Sequence, residues 1–147
     1  MTLHFLVLGD SLAFGTGAAR PQDTLGSRLA AALERAGSEV RTTVVAVPGA
    51  TSLDLAAQVR RAPTNADVAL VVVGANDLTH QVPPVQAAAA LSAAVQQLTA
   101  RGTAVLVLPT PDLSAVAWVP PATIERNAGI CAQARTCLLY TSPSPRD

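Results

Sequence analysis

Apolar residues in this chain come in short continuous runs, separated by stretches where they recur every three or four positions. Residues 4–8 form the first run, closed by Gly9, and read as a strand. Between 24 and 36, the positions Leu25, Leu29, Ala32, Leu33 and Ala36 share one side of a helix, with Gly37 as its stop. Residues 40–47 are rich in β-branched side chains and end at Pro48-Gly49, which predicts a second strand. Thr51 or Ser52 can cap a helix running to about residue 62. Residues 68–73 are almost all valine and leucine, as a strand buried on both faces should be. Pro83 and Pro84 can open an alanine-rich helix that ends near Arg101-Gly102, and residues 103–108 read as a fourth strand. Pro109, Pro111, Pro120 and Pro121 then mark a loop, followed by a helix over 123–134 with Thr123 as its cap.

Strand and helix therefore alternate four times. Such alternation implies an α/β fold with a parallel sheet and helices on both faces. No internal repeat interrupts it, and 147 residues suit one domain. In open sheets of this kind ligands bind at the carboxyl ends of the strands.

Composition narrows the chemistry. The formal net charge is zero, and only Phe5, Phe14, Trp118 and Tyr140 could stack on bases, so nucleic acid is not an expected partner. The longest apolar runs fall far short of the ~20 residues a bilayer needs, so no membrane span is expected. All ten basic residues are arginine, which excludes a Walker A lysine, a Schiff-base lysine and a Ser–Lys dyad. His4, His80, Cys131 and Cys137 match no zinc spacing, so neither a metal nor any other cofactor is called for. The first eight residues carry no cationic leader pattern and no cleavage motif, which makes the cytoplasm the expected location.

Three clusters of chemically useful residues each follow a predicted strand. They are Gly9-Asp10-Ser11-Leu12, Pro48-Gly49-Ala50 and Gly74-Ala75-Asn76-Asp77. In a parallel sheet these ends lie on one edge, so Ser11, Gly49 and Asn76 can converge. A serine hydroxyl can attack an ester carbonyl, and the N–H groups of Ser11 and Gly49 with the Asn76 amide can donate to the oxyanion that forms. Position 13 is alanine, so Ser11 is not in a G-x-S-x-G nucleophile elbow. Asp10 is expected to organise the turn around Ser11, Asp77 to hold its own loop, and Arg60 and Arg61 to lie on a solvated helix face.

With these blocks in this order, residues 3–134 resemble the SGNH (GDSL-type) hydrolase family. The resemblance implies a flavodoxin-like three-layer α/β/α fold and hydrolysis of small-molecule esters or thioesters through an acyl-enzyme. It assigns Ser11 as nucleophile and Gly49 and Asn76 as oxyanion-hole donors. The family pattern closes with D-x-x-H after a fifth strand, and neither is found here. Asp77-Leu78-Thr79-His80 fits D-x-x-H literally, but it overlaps the third block, and His4 starts a strand whose far end bears Ser11. The Ala/Val/Arg-rich composition stops at about residue 135, and a Ser/Pro-containing segment follows. We therefore expect an incomplete esterase domain over 1–135, a non-native tail over 136–147, and little turnover from the chain alone. A non-catalytic flavodoxin-like domain holding a small ligand in the same crevice is the alternative.

Overall fold

The computed structural model describes residues 2–108. Within them β1 (Thr2–Gly9), α1 (Ser11–Phe14), α2 (Leu25–Arg35), β2 (Glu39–Val44), α3 (Leu55–Arg61), β3 (Val68–Val72), α4 (Ala75–Thr79), α5 (Pro84–Ala100) and β4 (Ala104–Leu108) follow in order. The four strands form one parallel sheet in the order β2-β1-β3-β4. The expected α/β fold with a parallel sheet is thus what the chain adopts. The helix expected over 123–134 lies outside the described residues.

Side chains on a strand alternate between faces, and the two inner strands use both. On one face Leu6 and Leu8 of β1 join Ala69 and Val71 of β3. They pack under Leu55 and Val59 of α3 and Leu91, Val95 and Leu98 of α5. On the other face Phe5, Val7, Leu70 and Val72 pack against Leu25, Leu29 and Leu33 of α2. Burial of the central strands on both sides explains the unbroken apolar run of β3.

Caps set the helix limits. The Thr24 hydroxyl accepts from the Ser27 N–H at 3.1 Å and starts α2. Ser38 N–H returns to the Leu33 carbonyl and Gly37 N–H to the Glu34 carbonyl, with Gly37 at φ +105°, which is a Schellman stop. Thr51 and Asp54 make a reciprocal capping box ahead of α3. Of the two capping candidates there, Thr51 is the one used, and Ser52 is free for another role.

Two short helices go beyond the expected pattern. α1 carries Ser11 at its first position, and α4 carries Asn76 and Asp77, which the apolar pattern placed in a loop. Each spans at most five residues, too short to show a helical period. The β2–β1 ladder also runs on past Val44. Val45 N–H donates to the Val7 carbonyl at 2.9 Å and Val47 N–H to the Gly9 carbonyl at 3.0 Å, which agrees with the strand expected over 40–47.

Candidate active site at the carboxyl edge of the sheet

Parallel pairing brings the three blocks to one edge. Gly9 at the end of β1 is in register with Val72 at the end of β3, and Asp10 N–H extends that ladder to the Val72 carbonyl at 3.0 Å. Ser11 therefore begins two residues beyond the sheet. Gly9 has φ +131°, and a Cβ there would fall on the Val72 carbonyl oxygen, so only glycine fits between the strands.

Asp10 caps α1, accepting from the Leu12 N–H at 3.0 Å, and is 2% exposed. Burial raises its carboxyl above the ordinary 3.8; backbone donors at Leu12 and Ala13 oppose the shift, and the Asp77 carboxylate adds to it. The turn-organising role expected of Asp10 is what its contacts provide.

Gly49 sits in the turn Val47-Pro48-Gly49-Ala50, closed by Ala50 N–H donating to the Val47 carbonyl at 3.1 Å. Proline at the second position and φ +85° at the third fit a type II turn. A Cβ at Gly49 would meet open space, so glycine is required there by backbone conformation and not by crowding. The turn is exposed and forms one wall of a cavity of about 290 Å³ shared with Asp54, Ala57, Gln58 and Arg61.

The third block is stitched to the second. Asn76 Nδ2 donates to the Ala50 carbonyl at 3.0 Å. Asp77 is fully buried; it accepts from Ser52 N–H at 2.8 Å and from Ser52 Oγ at 2.6 Å. These bonds hold the start of α4 against the segment after the Gly49 turn. Neither Ser11 N–H nor Gly49 N–H has an acceptor among the described residues. A carboxamide nitrogen carries two hydrogens, and the second one on Asn76 is likewise without an acceptor there.

The literal D-x-x-H is not a dyad. Asp77 spends its carboxylate on Ser52, while His80 Nδ1 faces the Asn76 carbonyl at 2.9 Å and Thr79 Oγ1 at 3.2 Å. A carbonyl only accepts, so Nδ1 donates there, and nothing couples the ring to Asp77. His4 lies at the opposite edge, where its N–H donates to the Asp67 carboxylate at 2.8 Å. Arg60 and Arg61 are exposed in the last turn of α3, as expected.

Sequence reasoning passed over Gln58. Its side chain is fully buried; Oε1 accepts from Gly9 N–H at 2.8 Å and Nε2 donates to the Gly9 carbonyl at 2.9 Å. The signal was present, because Gln58 shares a helix stripe with Leu55, Val59 and Ala62, and a lone amide on an apolar stripe needs a partner. Ser52, the partner of Asp77, reads from the sequence only as a candidate cap.

A profile of the GDSL-like lipase/acylhydrolase family matches residues 7–137, and the chain belongs to that family. A GDSL-like esterase of Mycobacterium tuberculosis is 33% identical over 122 residues. The match takes in 80% of this chain and 39% of that protein, so the chain spans well under half the length of its curated relative. Among solved structures, the SGNH-hydrolase family esterase AlinE4 superposes with a TM-score of 0.77 at 21% identity. It covers 98% of this chain and 75% of its own. An acetyl-xylooligosaccharide esterase from Geobacillus gives 0.73 at 17% identity, covering 95% of this chain and 73% of its own. At these identities the likeness is one of fold, and it confirms the α/β architecture of SGNH hydrolases.

Proposed function

We propose that this chain carries the acylation half of a serine ester hydrolase, with Ser11 as nucleophile and the N–H groups of Ser11, Gly49 and the Asn76 side chain as oxyanion donors. One observation supports the reading most. The Ser11 and Gly49 N–H groups and one hydrogen of the Asn76 amide, one donor from each block, have no acceptor among the described residues. Three such donors on one sheet edge beside a serine suit a developing negative charge. The substrate class is a small-molecule ester or thioester.

The domain on this reading spans 1–135, with 136–147 outside it. His4 lies near the start of β1, at the opposite sheet edge, and the His80 ring is not coupled to Asp77, so on this reading neither histidine is the general base. Acylation should then need a base from solution. The test is p-nitrophenyl acetate with and without imidazole, with acetylation of Ser11 mapped by peptide mass spectrometry and Ser11→Ala as control. Ser11-linked acetyl that accumulates only with imidazole is expected. Acetylation that is equal in Ser11→Ala, and so never located on Ser11, would overturn the reading and favour a ligand-holding domain.

A further inference from the structure

We propose that Gln58 is a positioning residue for the nucleophile: its carboxamide clamps both polar groups of Gly9 and so fixes the direction in which the chain enters Asp10-Ser11. The proposal rests on the acyl-transfer reading above.

Gly9 is the most freely rotating kind of residue, and it stands two positions before the nucleophile. It is held at φ +131°, far from the ordinary strand region. The two contacts of Gln58, 2.8 Å to Gly9 N–H and 2.9 Å from Nε2 to the Gly9 carbonyl, lock the peptide planes on both sides of the Gly9 Cα. The Gly9 carbonyl is shared, since it also accepts from Val47 N–H at 3.0 Å, at the start of the turn that presents Gly49. One side chain thereby ties the Ser11 N–H and the Gly49 N–H to a common atom. A catalytic site loses rate steeply when its groups shift; a displacement of 1 Å can cost about a hundredfold.

A carboxyl distinguishes positioning from packing. Protonated, it offers one acceptor and one donor, as the carboxamide does. Ionised, it offers acceptors only, and one oxygen must face the Gly9 carbonyl. Gln58→Glu should therefore acetylate at Ser11 nearly as fast as wild type near pH 5 and lose on the order of ten- to a hundredfold relative to it by pH 8. Both proteins are assayed with imidazole at matched pH, and circular dichroism checks that the variant stays folded. A flat ratio across pH in a folded variant is also what a carboxyl kept protonated by burial gives, and Gln58→Met then decides. If Gln58→Glu unfolds at pH 8, Gln58→Met, which keeps the length and removes both bonds, gives the answer. It should be slowed at least tenfold at every pH while folded, and wild-type speed overturns the proposal. Wild type that shows no Ser11-dependent acetylation overturns the functional reading and the clamp together, whereas wild-type acetylation matched by a folded Gln58→Met overturns the clamp alone.

Discussion

The Asp10 carboxyl illustrates at the scale of one residue what the site requires of its neighbours. Its position at the start of α1 supplies an acceptor to the Leu12 N–H, yet burial works against its charge, and the Asp77 carboxylate works in the same direction. A carboxyl with a raised folded-state pKa binds protons more tightly folded than unfolded. Its contribution to stability is complete below the unfolded value near 3.8 and is lost as pH rises through the folded value. Asp10→Asn keeps an oxygen for Leu12 and has no charge to desolvate. The melting midpoint of Asp10→Asn relative to wild type should therefore climb as pH rises from 3.5 toward neutrality and then level off. A difference that falls with pH would mean that backbone donors outweigh burial at this carboxyl. Ser11 depends on Asp10 in another way. Its place at the first position of α1 follows from the residue before it being the cap, which is why a G-D-S run can be read locally.

At the scale of elements, the Gly49 turn carries the sharpest expectation. In a type II turn the peptide between the second and third residues is flipped relative to type I, which aims the third residue's N–H to the other side. Gly49→Ala meets no steric obstacle, so its stability cost is that of a non-glycine residue at φ +85°, about 1–2 kcal/mol. The turn can relieve that cost by switching to type I, and the Gly49 N–H then turns away. Urea unfolding should show the small stability loss, while imidazole-dependent acetylation of Ser11 should fall about 10²-fold or more. A stability loss with full acetylation would mean that Gly49 serves the turn alone. Local signals made this element legible, as Pro-Gly after a β-branched run names both the strand and its turn. What joins the elements was not legible. Gln58 pairs with Gly9 across 49 residues, Ser52 with Asp77 across 25 and Asn76 with Ala50 across 26. No local pattern encodes such pairings, and only the burial of a polar side chain on an apolar stripe hints that one must exist.

For the whole molecule, those three pairings make the carboxyl edge one connected object. β1 is tied to α3 through Gln58, the segment before α3 is tied to α4 through Ser52 and Asn76, and β1 is tied to the Gly49 turn through Val47. All of these ties lie within residues 2–108, where β2 and β4 are the sheet edges. The fold class was readable from alternation alone, since four apolar runs separated by helical stretches leave few topologies open. For a domain limit the sequence offers only a change of composition near residue 135, and the family match ends at residue 137. If residues 136–147 lie outside the domain, they contribute no buried area, and their removal acts like a change at an exposed surface, within about 0.5 kcal/mol. For a chain of this size that is a shift of about 1–2 °C in the thermal midpoint. A chain ending at residue 135 should therefore unfold at the same temperature and over the same width as the full 147 residues. A midpoint lower by ten degrees or more would put the tail into the core, and the proposed boundary at 135 would have to move to the end of the sequence.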